Sequence, residues 1–125
     1  MTKINIGTDC GNSPRKIFLK DLMVAMAKGD LNFVSENISE NINWEIPGER
    51  NISGKENYLK KIAENKIWKV NELVVDAIIT HGPDASVSGF IKTNNNTVYS
   101  FCNIYKFKSA GGTIINSVKT FLIKH

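Results

Sequence analysis

Few side chains in this sequence could do chemistry inside a fold, and the stretch YSFCNIYKFK at 99–108 holds several of them. Read as a strand, one face carries Tyr99, Phe101, Asn103, Tyr105 and Phe107, and the other Ser100, Cys102, Ile104, Lys106 and Lys108. The lysines mark the solvent side, so the aromatic face looks inward. There the aromatics serve as core or as pocket wall, with the hydroxyls of Tyr99 and Tyr105 on offer to a ligand. Asn103 interrupts that face with an amide whose oxygen and two N–H donors all need partners. It is either a cross-strand amide of the core or a pocket group that orients a substrate carbonyl or a water. An amide can donate to a developing oxyanion but takes up no proton. In an enzyme, Asn103 would therefore polarise a carbonyl rather than act as base.

The base would fall to His81, the one histidine inside the fold, since an imidazole titrates closest to neutral pH. Its place before Gly82-Pro83 equally suits an ordinary turn residue. Trp44 reads as core or as a pocket wall, while Glu45 points the opposite way, into solvent. Asp76 reads as a solvent-side position or the partner of a lysine. In the last strand Ser117 and Lys119 share one parity, so Asn116, Val118 and Thr120 are expected to face inward. No metal is expected: the two histidines lie far apart, and no Cys-x-x-Cys or His-x-x-x-His spacing occurs. No glycine-rich phosphate loop or Gly-x-Ser-x-Gly elbow is present, and Cys102 faces away from the aromatic side, against a cysteine nucleophile. No cofactor is expected.

The elements that must hold these residues follow from period and punctuation. Ser13-Pro14 opens a helix that Gly29 stops after Lys28, apolar around most of its girth. Asp30 caps a short helix, Leu31 to Glu36. Ile42, Trp44 and Ile46 alternate with polar residues until Pro47-Gly48, which makes 40–47 a strand. Ser53 and Glu56 read as a capping box for a third helix from Lys55 to about Lys66. Strands are expected at 68–81, 85–93, 97–108 and 113–123, joined by short turns. Residues 1–11 lack periodicity and read as a flexible lead, leaving 12–125 as one domain. The order is α+β, with helices gathered on one face of a curved antiparallel sheet.

At 125 residues with 42% hydrophobic and 22% charged side chains, the chain suits one globular domain. Its net charge of +4 comes from scattered lysines, with no basic stripe for nucleic acid. No apolar run is long enough for a signal peptide or a membrane span, and two cysteines make no disulfide framework. A soluble cytoplasmic protein is the expectation, without nucleic-acid or membrane partners.

Particular residues go further. NWEIPG at 43–48 followed by SGKE at 53–56, THG at 80–82 with Gly89 beyond it, and FCNIYKF at 101–107 followed by IINSVKTFLI at 114–123 together span most of the chain. They resemble the nuclear-transport-factor-2-like superfamily, which includes SnoaL-like cyclases and ketosteroid isomerases, and in particular a bacterial subgroup of it. The resemblance implies a cone: a strongly curved antiparallel sheet wrapped around three N-terminal helices, a cystatin-like α+β roll with a pocket at its wide end. Within the subgroup's pattern Asn103 stands where an acid is more usual, and Thr120 where epoxide-hydrolase relatives carry an acid.

Three functions follow as expectations. The first is a small-molecule-binding domain whose pocket, lined by Trp44, Tyr99, Phe101, Tyr105, Asn116 and Thr120, takes an apolar or aromatic compound. The second is a cofactor-independent isomerase, cyclase or hydrolase with His81 as base and Asn103 or a tyrosine as polariser. The third is a protein-interaction module. A homodimer through the outer face of the sheet is also expected, with Phe90 and Ile104 in the contact.

Overall fold

In the computed structural model the described residues are 3–7, 11, 13–64 and 70–125. They form β1 (Lys3–Ile6), α1 (Pro14–Lys28), α2 (Leu31–Glu36), β2 (Ile38–Ile46), β3 (Arg50–Ser53), α3 (Lys55–Glu64), β4 (Val70–His81), β5 (Asp84–Thr93), β6 (Val98–Phe107) and β7 (Ile115–Lys124). The expected end of the third helix and start of the following strand, at 65–69, lie outside the described residues.

One seven-stranded sheet runs in the order β1-β4-β5-β6-β7-β2-β3. The four strands of the second half make the antiparallel meander that their short turns require. At both ends, however, the sheet departs from the antiparallel expectation. β2 lies parallel to β7, Trp44 opposite Val118, and β1 lies parallel to β4, Lys3 opposite Glu72. The sheet is therefore mixed. Residues 3–6, expected as part of a flexible lead, are an edge strand instead. Four residues are too few to reveal periodicity when a neighbour supplies the pairing. β3 likewise went unread, because Arg50–Ser53 has one partly buried residue, Ile52, and no alternation.

Helix α1 follows its sequence signals. Pro14 occupies its first turn, and Gly29 ends it at φ 77°, where the following N–H groups close back on Ala25 O and Met26 O. Asp30 accepts from Phe33 N at 3.2 Å, as an N-cap should. Ser53 does not fill its predicted capping role: it is in β3, and its hydroxyl donates to Asn43 Oδ1 at 3.1 Å. The helices meet the inner face of the sheet, where α1 buries Phe18, Leu19, Leu22, Met23 and Met26. Phe18 joins the layers, with ring centroids 6.0 Å from both Phe33 and Phe107.

Arg15 clasps the end of the molecule where α1 begins. Its guanidinium donates to Gly82 O, to Ser109 O at 3.2 Å and to Gly112 O at 2.6 Å, while lying 4.1 Å above the Phe107 ring. One planar cation thus ties the β4–β5 and β6–β7 turns to the helix start.

Register shifts give the sheet its curvature. In β4 the pairing slips around Asn71 and Asp76, so the inward residues are Val70, Leu73, Val75 and Ile78 rather than every second one. In β7 the slip falls at Asn116, between Ile115 opposite Phe107 and Ser117 opposite Lys106.

Candidate functional site

Alternation in β6 does what the lysines implied. Phe101, Asn103, Tyr105 and Phe107 are all buried, while Ile104, Lys106 and Lys108 are exposed. Antiparallel pairing sets Asn103 opposite Thr120, and parallel pairing sets Trp44 opposite Val118, one strand further along the same face. Asn103, Thr120, Trp44 and Tyr105 are each 1% exposed, so their polar atoms must find partners inside the protein.

They find one another. Trp44 Nε1–H donates to Thr120 Oγ1 at 2.9 Å, and the Thr120 hydroxyl donates to Asn103 Oδ1 at 2.8 Å. Asn103 Nδ2 donates to the Tyr105 hydroxyl at 3.1 Å and lies 3.8 Å from Met23 Sδ. Tyr105 in turn donates to Met23 Sδ at 3.5 Å. The result is a continuous polar chain across β2, β7 and β6 that ends on a soft acceptor in α1. Tyr58 packs edge-on against Trp44, centroids 5.1 Å apart, and covers the indole.

This chain has no acid or base that works near neutral pH. Burial holds the Tyr105 hydroxyl above the ordinary phenol range; the Asn103 contact lowers it again in part, and nearby Cys102 adds to the rise. Burial raises Tyr58 in the same way, with Tyr105 contributing. The donors are also committed. Thr120 gives its proton to Asn103, so toward any newcomer its oxygen can only accept.

The chain emerges beside a cleft. At the β2–β3 turn and the ends of β6 and β7, a depression of about 540 Å³ is lined by Ile46, Tyr99, Thr120 and Leu122, with Glu49 and Lys124 among its ionisable residues. Pro47, Phe121 and Ile123 also line it, and Tyr99 is half-buried against the core.

The structure thus brings together Trp44, Asn103, Tyr105 and Thr120 in one bonded chain, and Thr120 with Tyr99 in one cleft. Phe101 is buried in the core, 3% exposed. Two expected residues lie elsewhere. Asn116 is exposed, because the slip in β7 inserts it as an extra residue and breaks the parity that placed it with Val118 and Thr120. His81 is exposed at the end of β4, opposite Asp84 at the turn, and borders neither the polar chain nor the cleft. Sequence reasoning missed Met23, a helix methionine that reads as plain core until its sulfur is seen accepting two donors. Asp76 is exposed and accepts from Ser88 Oγ at 2.8 Å; burial, then Asp76, raises the Cys102 thiol pKa. Among the described residues no three His, Cys, Asp or Glu side chains gather as metal ligands, and no helix is long and apolar enough to cross a membrane.

Three helices packed on one face of an open, bent sheet, with a polar chain on its inner wall and a cleft at one end, define the nuclear-transport-factor-2-like fold, in the α+β cone class. Solved structures that share it include a ketosteroid isomerase-like protein from Kribbella flavida, 15% identical at a TM-score of 0.74, covering 89% of this chain and 78% of that one. An NTF2-like protein of unknown function from Cytophaga hutchinsonii is 20% identical at 0.66, covering 86% and 97%. The epoxide hydrolase/cyclase-like enzyme SalBIII, of pyran ring formation in the polyether salinomycin, is 16% identical at 0.70, covering 87% and 90%. No family model matches the chain, and no curated protein matches it in sequence. At these identities the likeness is one of fold.

Proposed function

We propose that this chain is a small-molecule-binding domain that takes an apolar or aromatic compound in the cleft beside Tyr99, Thr120 and Leu122. The observation that carries this reading is the junction of the two features. A cleft of about 540 Å³ is bordered by one link of the buried chain, Thr120, whose hydroxyl accepts from Trp44 and donates to Asn103. The ligand's apolar body replaces water against Ile46 and Leu122, beside Thr120. Acid–base catalysis through His81 gains no support from this arrangement, since His81 borders neither the polar chain nor the cleft.

The test is a thermal-shift screen of fused-ring and long-chain apolar compounds, followed by calorimetry on any hit. Leu122→Trp should fill the cleft and reduce affinity by about tenfold or more, whereas the same change at exposed Ile79 should leave it unaltered. A hit whose affinity ignores Leu122→Trp would move the ligand elsewhere, and a screen without hits would remove the reading.

The outer face of the sheet favours a second property of the same domain, self-association. Ile79, Phe90, Ile104, Phe121 and Ile123 are 38–66% exposed there. The register makes them neighbours: Ile79 and Ile104 flank Ser86, Phe90 and Ile123 flank Ser100, and Phe121 lies opposite Cys102. An apolar group of this size on adjacent strands costs solubility unless covered, and a second copy offers the same surface by two-fold symmetry. Sedimentation should show a dimer at micromolar concentration, and Phe121→Lys should give a monomer with unchanged circular dichroism. A monomeric parent protein would refute the pairing.

A further inference from the structure

Among the described residues strand β3 stands last in the sheet order, so one of its edges has no neighbouring strand there. Its other edge pairs antiparallel with β2, Trp44 opposite Ile52 and Ile46 opposite Arg50, and Gly54 N donates to Ile42 O at 2.8 Å in the same register. Antiparallel ladders alternate bonded and non-bonded pairs. Ile52 and Arg50 therefore bond toward β2, and the backbone groups of Asn51 and Ser53 point away from it. Ser53 O is taken by the Asn57 side-chain amide at 3.0 Å. Both backbone groups of Asn51 and the N–H of Ser53 face outward, and both residues are exposed.

This edge forms one wall of a cleft of about 300 Å³ whose other wall is α3, through Asn57, Lys60, Lys61 and Glu64. Those four positions make one stripe of a helix. Arg50, Lys60 and Lys61 set three cations against the single carboxylate of Glu64. The ion pairs formed among the described residues use Lys55, Lys106 and Lys119 and leave these three cations aside. Charges on an edge strand usually repel an approaching chain. Here nearly all have one sign and line one cleft, so an acidic strand is drawn in and a basic one turned away.

We infer that β3 and α3 form a docking groove for an extended acidic peptide segment of a partner protein, added to the sheet beside β3. Backbone bonds to Asn51 and Ser53 set its register, and Arg50, Lys60 and Lys61 receive its carboxylates. The groove shares no residue with the cleft beside Thr120, so the two sites can fail independently.

Fluorescence anisotropy on the full chain tests this, with labelled peptides alternating Glu with Val or Lys with Val. The acidic peptide should bind and the basic one should not. Lys60→Glu combined with Lys61→Glu should weaken binding by about tenfold or more. Asn51→Pro removes an outward N–H without touching the bonds to β2, and should also weaken binding by about tenfold. Because a proline variant can misfold, the same acidic peptide N-methylated at alternate amides is tried against the unaltered protein, with the same loss expected. Binding that ignores N-methylation overturns strand addition and leaves only a charged patch. Equal affinity for the two peptide charges, no binding of the acidic peptide, or full competition by millimolar inorganic phosphate also overturns the proposal.

Discussion

Asn103→Leu is expected to destabilise the fold by about 3 kcal/mol, although leucine has the same branching and number of side-chain heavy atoms as asparagine. The loss comes from the partners that remain. The Thr120 hydroxyl loses the acceptor 2.8 Å away, and the Tyr105 hydroxyl loses the donor at 3.1 Å, both in positions shut off from water. Each buried polar group left unsatisfied costs about 1–3 kcal/mol. Adding Thr120→Val should cost less than the sum of the two single changes, because the orphaned hydroxyl goes with it. Urea denaturation of the four proteins checks this. Strict additivity would mean that the two side chains do not depend on each other.

Asn103→Asp sharpens the same point through pH. Among the described residues no cation bonds to the polar chain, so burial raises the new carboxyl's pKa in the folded state above its ordinary value of about 4. Below that ordinary value both states are neutral and the variant keeps most of the parent's stability. As pH rises through it, the unfolded chain ionises while the folded one resists, and the folded state loses ground until its own raised pKa is passed. The variant should therefore fall furthest behind the parent at neutral pH and recover toward pH 4. A stability gap that stays flat with pH would show that the site is reached by water.

Gly89→Ala is the other large effect, expected at about 3 kcal/mol or more for one methyl group. Gly89 lies opposite Val75 and Phe101, beside the extra residue Asp76 in β4. A Cβ there would sit 1.9 Å from Val74 O, 2.9 Å from Val74 C and 3.0 Å from Val75 Cα. These are backbone atoms, so no rotamer change can relieve them. The neighbouring strand would have to move, and with it the bend by which the sheet reaches over the helices. Thermal unfolding should show a large drop in midpoint, while Gly111→Ala, whose Cβ meets nothing, should be close to neutral.

The fold was legible wherever period and punctuation agreed. α1 and α2 follow from Pro14, Gly29 and Asp30, and the strands of the second half from Val and Ile runs and short turns, whereas α3 forms without its predicted serine cap. β1 and β3 were not legible, because each is four residues long and held by its neighbour rather than by its own pattern. The inner wall was legible through the lysines of β6, which fixed the direction of Asn103. Parity then failed in β7 for a definite reason. A single extra residue moves everything before it to the other face, so Thr120 was placed correctly and Asn116 was not. Whether Tyr105 and Phe101 line a void or fill one depends on summed side-chain volumes across α1, β2 and β6, which no local pattern encodes.

The parallel pairing of β2 with β7 also governs the order in which the molecule can form. Trp44 and Thr120, joined at 2.9 Å, are 76 positions apart, and every strand between them must be laid down before that bond exists. A topology so rich in distant contacts pays its loop-closure entropy early and collapses slowly. The meander from β4 to β7 can assemble through neighbours, but β2 and β3 have no sheet to join until residues 115–124 are in place. The pairing of β2 therefore waits on the last strand of the chain, so the bond between Trp44 and Thr120 is expected among the last contacts to form.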